Sequence, residues 1–235
     1  CLGNKAQLAK DPKTKNLALK MVEAKSQFAQ QDGADYLYKK TTYKSGIYPL
    51  NTVKGVGFMM PYMEVSGACA GCGEAPYYRL VTQLFGQDML VANATGCSSI
   101  YCGSTPLTPF TTNANKEGPA WANSLFEDNA EYGFGMRIAS DYKMMQIIRI
   151  LQAAKAADDA EPELKTLIDN YLANLKNREA ERKIIPDLIK AVEASKNAPV
   201  KELKEYYRDL LDKSVWIIGG DGWSFDIGYG GLDHV

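Results

Sequence analysis

The order of apolar and polar positions divides the chain into a weakly patterned lead, an α/β stretch, a long helical stretch and a closing strand with a glycine-rich turn. Residues 1 to about 50 are polar and lysine-rich. Leu17, Leu19, Met21, Val22 and Ala24 give only a loose apolar stripe over 17–30, and Asp32-Gly33-Ala34-Asp35 reads as a breaker. From Gly55 the pattern sharpens. Tyr78, Val81, Leu84 and Phe85 repeat at helical spacing over 75–85. Residues 88–92 are an apolar run before a glycine-containing loop, the pattern of a buried parallel strand. The stretch from Gly103 to Ser124 carries Pro106, Pro109 and Pro119 and reads as a loop too proline-rich for regular structure. Glu127-Asp128-Asn129 then opens a long helix, with acids at the positive end of its dipole.

Residues 141 to about 213 are dominated by Lys, Glu, Ala and Leu at helical spacing. Met145, Ile148, Leu151 and Ala154 share one face; Leu164, Leu167, Ile168, Leu172 and Leu175 share another, and Pro162, Pro186 and Pro199 mark helix restarts. This reads as a helical insertion between strands. Ser214 to Gly220 returns to a buried strand ending in glycines. The expected fold class is α/β: a mostly parallel sheet flanked by helices, with ligands at the carboxyl ends of its strands. The expected division is a tail and linker over 1–50 and one domain over 51–235, the insertion at 141–213 included.

Composition narrows the function. A net charge of −1 over 235 residues gives no basic face for nucleic acid, and no apolar run is long enough to span a membrane. His234 is the single histidine, which removes most Ser-His-Asp and Cys-His mechanisms and leaves difficult chemistry to a cofactor. The chain begins on Cys1 and ends on Asp233-His234-Val235, so it is expected to be a piece of a longer polypeptide.

The five cysteines are Cys1, Cys69, Cys72, Cys97 and Cys102. An odd count without a secretory signal disfavours a disulfide scaffold. Ser66 to Glu74 holds Cys69 and Cys72 around a tight glycine turn, and Cys97 follows after 24 intervening residues in Asn93 to Ser99. That spacing permits a tetrahedral zinc site, with Cys102 as fourth thiolate, an iron–sulfur cluster, or unligated thiols. Gly219-Gly220-Asp221-Gly222-Trp223 follows a strand; a carboxylate there can hold Mg²⁺ while glycine amides approach a diphosphate, although a lone Gly-Asp-Gly is more often a plain turn. Glu74 and Glu127 are the other acids in informative settings, and Glu127 reads as a dipole partner in the first helical turn.

Together with Gly118 to Glu131, these strings closely resemble the thiamine-diphosphate domain of single-chain pyruvate:ferredoxin (flavodoxin) oxidoreductases, over about 57–235. Residues 1–50 resemble the tail of that family's ferredoxin-like domain and its linker. The resemblance implies a thiamine-diphosphate-binding fold in which Cys69, Cys72 and Cys97 ligate a [4Fe–4S] cluster, with the fourth ligand outside this chain and Cys102 a spare thiol. It implies that Glu74 and the backbone around Cys97 contact thiamine diphosphate. Gly220, Asp221, Gly222 and Trp223 would form the diphosphate loop, with Asp221 on Mg²⁺. Cys1 would be the last ligand of a second [4Fe–4S] cluster, although Cys-Leu-Gly stands where Cys-Pro is usual. The implied activity is oxidative decarboxylation of pyruvate with CoA to acetyl-CoA and CO₂, electrons passing to ferredoxin or flavodoxin, in a cytoplasmic homodimer. The remaining Mg²⁺ ligands and the pyruvate and CoA sites match no residue here, and no catalytic side chain is assigned. The rivals are another 2-oxoacid oxidoreductase and a non-catalytic four-cysteine zinc module.

Overall fold

The computed structural model describes residues 22–103, 108–157, 161–225 and 227–235. Cys1 lies outside them. The chain divides into two compact units, Cys1–Lys44 and Ser45–Val235. In the first, a 3-10 turn at Ala24–Gln27 leads into α1 (Phe28–Lys39). This helix runs through the expected breaker: Gln31 Nε2 donates to Asp35 Oδ1 at 2.9 Å, a one-turn bond that supports the backbone around Gly33.

The second unit begins with the short α2 (Val53–Gly57), capped by the Thr52 hydroxyl, and α3 (Glu74–Phe85). Strand β1 (Met89–Ala94) follows, then α4 (Cys97–Gly103), β2 (Ala120–Ser124) and α5 (Asn129–Ala156). Three helices come next: α6 (Pro162–Ala173), α7 (Arg178–Ala194) and α8 (Ala198–Lys201). A 3-10 segment at Glu202–Asp209 leads to β3 (Ser214–Ile218), and α9 (Asp221–Phe225) and α10 (Ile227–Gly230) close the chain. The strands form a three-stranded parallel sheet in the order β2-β1-β3, as the α/β reading expects. Among the described residues no helix is long and apolar enough to cross a membrane.

β1 is central and its side chains alternate between two apolar layers. Met89 and Val91 pack with Tyr78 of α3 and with Tyr101 and Cys102 of α4. On the opposite face Gly133 of α5 lies so close to Ile217 and Ala92 that a Cβ there would overlap the Ile217 side chain. The larger core lies in the helical region, where Ile147, Leu151, Leu164, Ile168, Leu188 and Leu203 are almost wholly buried. Burying a side chain of this size gives about 1.5–3 kcal/mol, so this region holds together largely by its own packing.

Several expectations are corrected. The stretch from Gly103 to Ser124 ends in β2, an exposed edge strand starting immediately after Pro119, where a missing N–H costs no ladder bond. Helix α5 opens at Asn129 as expected, but its buried face is Ile147, Ile150, Leu151 and Ala154, with Met145 exposed. Pro162 and Pro199 open helices, but Pro186 lies inside α7, where buried Leu188 and Val192 offset the lost backbone bond. β3 is half-buried, because it is the second edge of the sheet. Glu127 lies ahead of α5, whose first-turn acid is Glu131.

Candidate active site at the carboxyl edge of the sheet

All three strands run the same way, so their following loops leave from one edge. β1 leads through Thr95 and Gly96 to Cys97, the first residue of α4. β3 leads through Gly219 and Gly220 to Asp221, the first residue of α9. Asn93 pairs with Ile218 in the ladder, so the cysteine loop and the glycine-acid turn start side by side. Gly219 must be glycine: a Cβ there would run into the Trp223 ring and the Ala94 side chain. Trp223 is buried beneath the turn and its indole N–H donates to Gly230 O at 3.2 Å. Asp221 itself is exposed, and nothing stands where a Cβ on Gly220 would point, so the turn presents an open carboxylate beside accessible backbone.

The first cysteine pair is shaped by a reverse turn. Cys72 N–H donates to Cys69 O at 3.0 Å, and Gly71 takes φ +76, the left-handed position that a type II turn gives to glycine. Cys69 is exposed and Cys72 partly so. Glu74 opens α3 directly afterwards. Tyr101, one helical turn beyond Cys97 on α4, ties these strings together. Its buried phenol is pushed up first by desolvation, then by the Glu74 carboxylate, with the Cys102 and Cys72 sulfurs adding to the effect. Its ring also meets Tyr78 of α3 edge to face, with centroids 6.3 Å apart, so the helix that Cys97 opens packs against the helix that Glu74 opens.

The three thiols of Cys69, Cys72 and Cys97 are not gathered as a ready ligand set: among the described residues no group of three His, Cys, Asp or Glu side chains is placed to hold one ion. Their chemistry nevertheless fits a thiophilic centre, since Cys69 and Cys97 present exposed free thiols. Cys102 is different. It is wholly buried among Met63, Tyr78, Met89 and Val91, and its thiol is pushed up to about 12, chiefly by burial. It belongs to the core, which leaves the closed four-cysteine zinc alternative without its fourth ligand. The edge also holds unpartnered buried polar atoms, Ser98 Oγ beside Cys97 and Asn93 Oδ1 at the end of β1. Such atoms ordinarily find a partner, and a polar ligand at this edge would supply one.

Sequence reasoning overlooked the asparagines of the edge. Asn93 donates to Asn123 Oδ1 at 3.1 Å across β1 and β2, Asn123 donates to Thr95 Oγ1 at 3.0 Å, and Asn129 is fully buried at the start of α5. The available signal was Asn93, a polar residue inside an apolar strand.

No family model matches the chain. It is 48% identical over 220 residues to the pyruvate-flavodoxin oxidoreductase of Klebsiella pneumoniae, covering 93% of this chain and 19% of that protein. The pyruvate:ferredoxin oxidoreductase of Moorella thermoacetica is 49% identical over 195 residues, covering 78% of this chain and 16% of its own length. The chain matches one segment of the pyruvate–flavodoxin/ferredoxin oxidoreductases of the single-chain type. It spans between a tenth and a fifth of the length of the relatives it matches. The segment also recurs, at 48% identity over 189 residues, in a mitochondrial pyruvate dehydrogenase [NADP(+)] of Euglena gracilis, where it makes up 10% of the protein.

Proposed function

We propose that this chain is the thiamine-diphosphate and cluster-bearing part of a pyruvate:ferredoxin (flavodoxin) oxidoreductase, which converts pyruvate and CoA to acetyl-CoA and CO₂ and passes the electrons on. The observation that carries the reading is the side-by-side departure of the Cys97 loop and the Asp221 turn from adjacent parallel strands. One edge then serves a soft-metal centre and a diphosphate–Mg²⁺ pair at once. When bound, thiamine diphosphate supplies a centre that stabilises carbanion character, and a [4Fe–4S] cluster supplies a one-electron acceptor.

The chain's own residues divide the task of holding these groups. Asp221 offers the hard oxygen ligand for Mg²⁺, while Gly220 and Gly222 let the diphosphate approach backbone amides. Trp223 braces the turn from below. Cys69, Cys72 and Cys97 offer thiolates to iron, and Glu74 borders the thiamine. A second cluster through Cys1, a homodimer and a cytoplasmic location belong to the same reading. The acceptor is ferredoxin or flavodoxin, in line with the names of the bacterial relatives; the Euglena relative's name makes NADP⁺ the rival acceptor for a protein carrying this segment.

The test is anaerobic purification of the full-length protein. Brown colour, iron, thiamine diphosphate and Mg²⁺ are expected, with pyruvate- and CoA-dependent reduction of ferredoxin or flavodoxin. A colourless protein with stoichiometric zinc would overturn the reading.

A further inference from the structure

The carboxyl edge is tied together by one side chain that the cofactor reading leaves unused. Asn129, the first residue of α5, is fully buried. Its Nδ2 donates to Ala92 O of β1 at 3.3 Å and to Ile218 O, at the end of β3, at 3.2 Å. Its Oδ1 accepts from Ser124 Oγ, at the end of β2, at 3.0 Å. The orientation of the carboxamide is determined by chemistry: both strand oxygens are carbonyls, which only accept, so the nitrogen must face them and the oxygen must face the hydroxyl.

A single rigid group thus touches all three strands within a residue or two of where their loops begin. The other asparagines do less. Asn93 and Asn123 cross-link β1 and β2 and do not reach β3. Among the described residues Asn129 thus adds a side-chain bridge to the backbone ladder between β1 and β3, the strands whose continuations carry Cys97 and Asp221.

We infer that Asn129 is a positioning residue, setting the separation of the Cys97 loop and the Asp221 turn without itself touching cofactor or substrate. The inference rests on the reading of this edge as the thiamine-diphosphate and cluster site. Asn129→Asp is the sharp probe. It keeps the size and shape of the side chain and the acceptor for Ser124, but it removes both donated bonds and sets a carboxylate oxygen against two carbonyls. Asn129→Ser is the gentler variant, able to satisfy at most one carbonyl.

In the full-length enzyme, both variants are expected to speed amide hydrogen exchange in 94–97 and 219–222 and leave the rest of the sheet protected. Thiamine diphosphate affinity should fall roughly tenfold, the scale of one lost hydrogen bond, with iron content near the parent's. Ser124→Ala, which removes the β2 arm together with the local Ser124 Oγ–Leu125 O contact, should leave that affinity within about twofold. If Asn129→Asp does not fold, Asn129→Ser decides by the same two measurements. Unchanged thiamine diphosphate affinity in the folded variants would overturn the positioning role, even with a lowered melting temperature, because that combination describes a merely structural residue. A parent enzyme that binds neither iron nor thiamine diphosphate overturns the site reading and this inference together. The parent's own cofactor content thus separates the two failures.

Discussion

Asp221 is an exposed carboxylate at the start of a five-residue helix, supported from below by buried Trp223. Removing it should cost the Mg²⁺ site at least the roughly tenfold that losing even a supporting contact costs a metal site. In full-length Asp221→Ala, titration with Mg²⁺ and thiamine diphosphate should show that loss with iron content unchanged. Loss of iron with intact thiamine diphosphate affinity would reverse the assignment. Cys97→Ser should give the complementary result, iron lost and thiamine diphosphate retained, because a hydroxyl is a poor ligand for iron. The thiols also differ in reactivity. In iron-free protein at pH 8, iodoacetamide should label Cys69 and Cys97 and spare Cys102. Burial raises the Cys102 thiol to about 12, so it stays protonated until the pH climbs toward that value, and mass spectrometry should find it alkylated only after denaturation. At this scale residue type and spacing single out Cys69, Cys72, Cys97 and Asp221 in the sequence, and the structure sets Cys97 and Asp221 just beyond the ends of adjacent strands. The sequence was silent about Asn129, because an asparagine at a helix start reads as an ordinary cap and its three partners lie on strands far apart along the chain.

Helix α5 lies against the sheet through Gly133, where a Cβ would meet Ile217 and Ala92, whereas the same atom on Gly135 would meet nothing. The pair makes a controlled experiment on one helix. Gly133→Ala should destabilise by about 1–3 kcal/mol through overpacking, and Gly135→Ala should be neutral or stabilise by about 0.5–1 kcal/mol through helix propensity. Thermal melts of both would check the close approach, and equal melting temperatures would refute it. The elements with strong periodicity, α3, β1, α5 and β3, were legible in the pattern. β2 was not, since an edge strand with an exposed face lacks a continuous apolar run and its leading Pro119 imitates a loop. The register of α5 was also misread. Met145 and Ile147 are both apolar, and only the position of the neighbouring helices decides which is buried. The passage of α7 through Pro186 is similar: local propensity argues for a break, and burial of Leu188 and Val192 overrides it.

On the scale of the whole unit, the helical region and the sheet are joined by Asp88, immediately before β1. Its carboxylate is 2% exposed and is held by Arg178 at 2.8 Å and Arg182 at 3.0 Å, both from α7. Asp88→Asn should cost about 2 kcal/mol, less than the roughly 3–5 kcal/mol of a fully buried pair, because both arginines can rehydrate in part. Urea denaturation would measure it, and a loss below about 0.5 kcal/mol would show the pairs to be surface-like.

The sheet order β2-β1-β3 also has a consequence for synthesis. Met89 pairs with Ser214, so at roughly 5–20 residues per second the middle strand waits about 6–25 s on the ribosome for its second neighbour. Throughout that interval one edge of β1 is bare, with apolar side chains on both of its faces. A bare apolar edge invites strands from other nascent chains. The hazard in making this protein therefore lies in translation, and slowing elongation between β2 and β3 should increase aggregation more than the same delay placed before β1.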